Sequence, residues 1–472
     1  MKRSTAVLTA CATVLGLTGP LLPQAVAAAP GCRVDYAVAS QWPGGFHGIL
    51  KITNLGDPVT RWSLGFDFRD PGQRVVQGWG ALWRQSGDHV TAANQVWNGS
   101  LATGASTSIG FSGTFTSANP GPANFALDGV ACAGTGVLDR FHTAGRVQDD
   151  GGSARFSWPG VYFEGRFRGT GVGVVLQDTA ADYEVQVDGT TAATLVTPAA
   201  GTHWVTGLRD GEHTVRLVKR SESQWATSAF GGFVAAPGGE VLAKPAARAR
   251  QAEFIGDSYT AGYGNTSAGR DCTGDEVNRT TNADLAFGPL TARRLGADYQ
   301  VNAFSGRGMV RNYNGGEPGT SYRTYYDRAL LAVDGDVWRK PASWRPQLVV
   351  VGLGINDFST ALNPGEPWTP ESLVADYRTA YHGFLDKLRA RYGDDTVIVV
   401  SATHMSNTTA LADATRQVVA ERNGRGDDRV RHWYYDNTGL DYLGCHWHPS
   451  ANDHRVISER LGAFLAGLPL TW

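Results

Sequence analysis

The chain has little charge and almost no imbalance in it. Charged residues make up 18% of 472 positions, and 42 Lys and Arg oppose 44 Asp and Glu for a formal charge of -2. Without an excess of either sign there is no electrostatic footprint for nucleic acid or an anionic membrane surface, and neither is expected as a partner. Long apolar runs are equally scarce. The one present lies at the N-terminus, where Lys2 and Arg3 precede an apolar stretch through Leu22 and the small residues Ala25, Val26 and Ala27. That order is that of an export signal, so residues 1–30 read as a signal peptide and the mature protein as secreted and extracellular. Beyond it no stretch is long and apolar enough to span a bilayer. Cysteine is sparse as well: after the signal, Cys32, Cys132, Cys272 and Cys445 remain. An even number suits an oxidising compartment, with three pairings open. Metal-ligand spacing is missing too, since His446 and His448 in "HWHPS" have no companion carboxylate or Cys/His set. No metal and no cofactor are expected.

What the chain does have is 60 Gly and 14 Trp, a profile of turn-rich β domains with aromatic contact surfaces, of the kind that face sugars. Its length exceeds what one core organises, so several domains are expected. Residues 31–132 are a block of short alternating strands, such as "HGILKITNL" and "TSIGFSGTF", closed at each end by a cysteine; this predicts a β-sandwich with its ends tied together. Residues 133–137, "AGTGV", read as a short linker. Residues 138–248 repeat the β texture with "ARFSW", "YFEGRF", "VGVVLQ", "YEVQVDG" and "HTVRLVK", a second sandwich of jelly-roll type. From residue 249 to 472 strands alternate with amphipathic helices, the pattern of an α/β/α domain with a parallel sheet.

Four strands stand out there: "AEFIG", "YQVNAF", "QLVVVGL" and "TVIVVSA". Thr369 with Pro370 caps the helix after the third, and "HPS" at 448–450 opens the last one. In "EFIGDSYTAGYG" Ser258 falls just past the first strand, where its hydroxyl projects at the carboxyl end of the sheet and its N–H enters the strand-to-helix turn. That supplies a nucleophile with an oxyanion donor, or else an ordinary turn residue. After the second strand comes Ser305-Gly306-Arg307-Gly308, and after the third Gly354-Ile355-Asn356-Asp357. Ser, Gly, Asn and His thus occur in chain order at the ends of successive elements.

This constellation resembles the SGNH hydrolase superfamily. More narrowly, "EFIGDSYTAGYGN", "SGRGMVRNYN", "VVGLGINDFS" and "WHPS", behind a jelly-roll block, resemble carbohydrate esterase family 2, the two-domain deacetylases of plant polysaccharides. The resemblance implies a flavodoxin-like domain acting on acetylated xylan or related hemicellulose. Carried over by motif, Ser258 is the nucleophile, His448 its general base, and the oxyanion hole is formed by the Ser258 N–H, the Gly306 N–H and the Asn356 side chain. The family's acid, where present, stands two residues before the histidine, a place that His446 takes here. Either a backbone carbonyl orients His448 and leaves a dyad, or Asp436 or Asp441 reaches in as the third acid. Trp447 is either a sugar platform or a packed loop residue.

The N-terminal block resembles carbohydrate-binding module family 2, which implies Trp42, Trp79 and Trp97 as the rings that stack on cellulose and leaves Trp62 and Trp83 to the core. The expected partners are therefore cellulose and acetylated hemicellulose, bound by a monomer. A wall-binding protein without activity, or a lipase or thioesterase of the same superfamily, is the alternative. Cys32 and Cys132 bracket the binding module. If they pair, Cys272 and Cys445 are left to each other, on loops that the Ser258–His448 pairing would make neighbours.

Overall fold

A computed structural model describes residues 32–116, 119, 121–132, 136–149 and 152–472. The expected signal peptide, residues 1–30, and residues 133–135 of the expected linker lie outside the described residues. Val137 is not linker: it opens the short helix Val137–Arg140 and is buried with the following unit, as an apolar side chain beside a core should be.

Within residues 32–132 two antiparallel sheets enclose one core. Four strands, in the order Cys32–Trp42, Gly45–Asn54, Ser106–Thr114 and Arg74–Trp79, form the first, and the second has five. Alternation decides what goes inside: in the Gly45–Asn54 strand Leu50 and Ile52 are buried while Ile49 and Lys51 face out. Phe46, Trp62, Phe66 and Phe111 fill the space between, and a disulfide joins Cys32 to Cys132.

The middle unit has two five-stranded sheets, packed on Phe156, Phe163, Tyr183, Phe230 and Phe233, with Phe163 stacked on Phe230 at 4.2 Å. Its Thr190–Val196 and Gly201–Thr206 strands escape the sequence pattern because their residues are mostly exposed, polar or small.

The C-terminal unit is a parallel sheet of β1 (Arg250–Gly256), β2 (Ala297–Ala303), β3 (Leu348–Gly352), β4 (Val397–Thr403) and β5 (Val430–Tyr435), in the order β2-β1-β3-β4-β5. The four-strand expectation misses β5, whose "VRHWYY" sets the partly covered Arg431 and His432 between buried Val430 and Trp433. β3 and β4 are mainly apolar because both faces are covered, whereas β1 and β2 also bury Glu253, Asp298, Gln300 and Asn302. Ile255, Val349, Val351, Ile398 and Val400 pack under helices α3 (Pro370–Tyr392) and α4 (Ala410–Gly424). Phe254, Val350, Val397 and Val399 pack under α2 (Phe287–Leu295) and α5 (Ala451–Leu465). Helix α1 (Ser258–Ala261) is a single turn directly behind β1.

Buried ion pairs tie the middle and C-terminal units. Arg146 meets Glu253 at 2.8 Å with both side chains fully buried, and Arg216 meets Asp284 at 2.9 Å. Neighbouring charge outweighs burial at Asp284, whose carboxyl is held well below the ordinary range by Arg216 and Arg293. Leaving either charge without its partner would be costly, so the two units meet in one arrangement.

Candidate active site

Ser258 is the first residue of α1. Asp257 caps that turn, its Oδ1 accepting the Tyr259 N–H at 3.1 Å. The turn stands at the carboxyl edge of a parallel sheet, where open α/β folds gather their ligands. His448 sits between the short turn Cys445–Trp447 and α5, and its Nε2 lies 2.8 Å from Ser258 Oγ. Its Nδ1 faces two backbone carbonyls, Cys445 O at 2.9 Å and His446 O at 3.2 Å. A carbonyl only accepts, so the proton is on Nδ1 and the Nε2 lone pair is aimed at the serine. The ring packs against Tyr263 at 4.4 Å and Tyr259 at 5.4 Å. Burial lowers its pKa to about 4, against the two carbonyls that favour the charged form.

Neither candidate acid reaches this histidine. Asp436 Oδ1 accepts the Thr438 N–H at 3.0 Å and pairs with Arg460, while Asp441 Oδ1 caps the Leu443 N–H at 2.9 Å. The reason is that the place beside Nδ1 is already filled by main-chain carbonyls. His446, where an acid could have stood, turns away: its Nδ1 meets Tyr263 OH at 3.0 Å and its Nε2 the Cys272 carbonyl at 2.9 Å.

The segment before His448 is fastened on several sides. A disulfide links Cys272 to Cys445, Arg270 donates to the Tyr442 and Asp441 carbonyls at 2.8 Å each, and the His446 N–H donates to Arg270 O at 2.7 Å. Asp453 was not singled out in the sequence. Fully buried, it accepts the N–H groups of Asp441 and Tyr442 at 2.8 Å and of Ser450 at 3.0 Å. Its signal was present as a capping box, Ser450 followed three residues later by Asp453. Trp447 is 65% exposed, with the Arg270 guanidinium 3.8 Å from its ring centroid, so it is not packed in the core.

The other two motifs converge beside Ser258. Gly306, at φ 78°, takes a left-handed turn after β2, and its carbonyl accepts the Tyr313 N–H at 2.9 Å. Asn356 Nδ2 donates to Arg307 O at 3.0 Å and to Asp257 Oδ2 at 3.2 Å. Its neighbour Asp357 is buried and accepts the N–H groups of Met309 and Val310 at 2.8 Å and of Arg311 at 2.9 Å, fixing the segment after Gly306. Burial pushes the Asp257 carboxyl up to about 7; the Tyr259 N–H pulls it down, and the Asp357 charge nearby adds to the rise.

On the N-terminal unit Trp42 and Trp79 are each 46% exposed and Trp97 is 73% exposed. Trp42 and Trp79 lie flat over cross-strand glycines, so that a Cβ at Gly45 or Gly110 would run into their rings. His47 stands between them, 4.9 Å from Trp42 and 6.1 Å from Trp79. Trp62 is buried and donates to Asn98 O at 2.8 Å; Trp83 is half-buried against Phe111. Among the described residues no group of three His, Cys, Asp or Glu side chains could hold a metal ion, and no helix is long and apolar enough to cross a membrane.

A Gly-Asp-Ser turn at the edge of a parallel sheet, with a histidine against the serine, defines a GDSL-type acylhydrolase, and the GDSL-like lipase/acylhydrolase family model matches residues 254–456. The carbohydrate esterase 2 N-terminal model matches residues 143–245, and the cellulose binding domain model residues 32–132. The chain belongs to carbohydrate esterase family 2 and carries a cellulose-binding domain ahead of the esterase. It is 42% identical over 310 residues to an acetylxylan esterase / glucomannan deacetylase of Cellvibrio japonicus, covering 66% of this chain and 84% of the relative. A solved carbohydrate esterase whose active site is described as having divergent catalytic and non-catalytic binding functions shares 40% identity, covering 70% of this chain and 98% of its own, with a TM-score of 0.64. A family two carbohydrate esterase from Clostridium thermocellum, solved with cellohexaose, shares 31% identity over 69% of this chain and 98% of its own, with a TM-score of 0.60.

Proposed function

We propose that the protein is a secreted, monomeric deacetylase of xylan or a related hemicellulose, working through a Ser258–His448 acyl-enzyme while residues 31–132 hold it on cellulose. In this reading residues 31–132 are a cellulose-binding β-sandwich, 138–248 a jelly-roll accessory domain, and 249–472 a flavodoxin-like hydrolase domain. The observation that carries it is the 2.8 Å approach of His448 Nε2 to Ser258 Oγ in a carbohydrate esterase. The name of the Cellvibrio japonicus relative favours acetylated xylan or glucomannan as the substrate class.

His448 Nε2 takes the Ser258 proton as Oγ attacks the acetyl carbonyl. The tetrahedral oxyanion is met by the N–H groups of Ser258 and Gly306 and by Asn356 Nδ2, whose longer bond to Asp257 gives way. Collapse expels the sugar oxygen, which takes the proton back from His448. Water, deprotonated by the same nitrogen, then attacks the acetyl-serine; acetate is released as the departing Ser258 Oγ takes that proton back from His448. Cys445 O and His446 O hold the imidazole in the useful tautomer, so this is a dyad oriented by main chain. Trp447 borders the site as a platform for a sugar ring.

Ser258→Ala is expected to lower turnover of 4-nitrophenyl acetate by about 10⁴-fold or more. Equal rates for parent and variant would leave only wall binding. Acetate release from acetylated xylan, mannan and glucomannan, followed by NMR, identifies the polymer and the hydroxyl.

A further inference from the structure

We propose that Glu222, a side chain of the middle unit, is a positioning residue for the Gly306 turn of the active site. The inference rests on the reading above, in which the Gly306 N–H faces the reacting oxygen. Glu222 lies on the loop between the Glu212–Lys219 and Ser228–Ala235 strands and is 8% exposed. One of its carboxylate oxygens accepts the Ser305 N–H at 3.0 Å, and the other accepts the Ser305 hydroxyl. The carboxylate is anchored from its own side first. Gln224 Nε2 donates to it at 2.6 Å, and Lys219 Nζ donates to the Glu222 backbone carbonyl at 2.7 Å and to Ser157 O at 2.5 Å.

Ser305 is thereby fixed through both its N–H and its hydroxyl, and the next N–H in the chain is that of Gly306. On the far side of that glycine, Asp357 gathers the N–H groups of Met309, Val310 and Arg311. The turn is therefore held between two buried carboxyl groups, one from each unit. Burial pushes the Glu222 carboxyl up while its bonds to Ser305 pull it down. A contact serving adhesion alone could be apolar and would avoid that desolvation. Two bonds to one serine instead define the orientation of its backbone, and an N–H displaced by about 1 Å from a developing oxyanion can cost on the order of 10²-fold in rate.

The test uses the full chain, steady-state kinetics with 4-nitrophenyl acetate, and thermal melts. Glu222→Ala is expected to lower kcat by about 10- to 100-fold with KM within about threefold of the parent. Glu222→Gln, whose amide keeps an acceptor for the Ser305 N–H and offers a donor to its hydroxyl, recovers most of that loss. If Glu222→Ala does not fold, Ser305→Ala removes the hydroxyl leg alone and is expected to cost about three- to tenfold in kcat. Asn356→Ala separates this proposal from the reading beneath it. A large loss there, with Glu222→Ala and Ser305→Ala within about twofold of the parent, overturns the role of Glu222 and leaves the oxyanion hole standing. No loss in Asn356→Ala together with no loss in Glu222→Ala overturns the oxyanion hole itself. Equal losses in Glu222→Ala and Glu222→Gln, or a raised KM at unchanged kcat, also overturn the positioning role.

Discussion

In the proposed mechanism, burial of the His448 ring against Tyr259 and Tyr263 sets the pH range over which Ser258 is activated. Its pKa is lowered to about 4, so the base is neutral above that pH and lost to protonation below it. kcat/KM for 4-nitrophenyl acetate should therefore rise through a midpoint near 4 and stay flat toward neutral pH. A midpoint near the ordinary imidazole value of 6.5 would contradict the buried-base account. The same shift has a stability sign. Between about 4 and 6.5 the folded protein binds fewer protons at this site than the unfolded chain, so the contribution of His448 to stability declines as pH falls through that window. Ser258 and His448 were legible in the sequence because each lies in a short run at an element boundary. His446 in the acid's place was equally legible as a departure. Which of the two alternatives, a backbone carbonyl or Asp436 or Asp441, lies beside His448 was not, because main-chain carbonyls leave no mark in residue identity. Glu222 was hidden for another reason: its partner Ser305 is 83 residues away, in a different unit.

At the scale of elements, β3 and β4 could be read because strands covered on both faces become unbroken apolar runs. β5 could not, since Arg431 and His432 are only partly covered and break the run. The loop before α5 behaves as an element of its own, pinned by Asp453 of α5 and by the Cys272–Cys445 bond. Cutting that bond with Cys272→Ser and Cys445→Ser should destabilise the esterase by about 2 to 4 kcal/mol, since the bond closes a long loop. Turnover should fall while retention on cellulose does not. Thermal melts together with a cellulose pull-down measure both, and unchanged turnover would show that Asp453 and Arg270 hold the loop without it.

For the whole molecule, domain texture was readable from alternation, glycine turns and the bracketing cysteines, whereas the seam between the middle and C-terminal units was not. Arg146, Arg216, Glu253 and Asp284 look like ordinary surface charges until the fold buries them. The N-terminal unit closes on itself through Cys32–Cys132 and has its own core. Removing residues 31–135 should thus abolish retention on cellulose and leave turnover of a soluble acetyl ester within about twofold, consistent with a domain that folds by itself. A folded truncation that loses most of its soluble activity would overturn this.

Synthesis also orders the proposed catalytic pair in time. Ser258 and His448 are 190 residues apart, so the serine leaves the ribosome well before the histidine. During synthesis the serine exists without its base. A copy stalled before residue 448 carries the proposed nucleophile without its base, and under reducing conditions the Cys272–Cys445 tie beside His448 stays open. In the proposed mechanism, hydrolysis therefore begins only once the chain has passed residue 448 and folded back onto the serine.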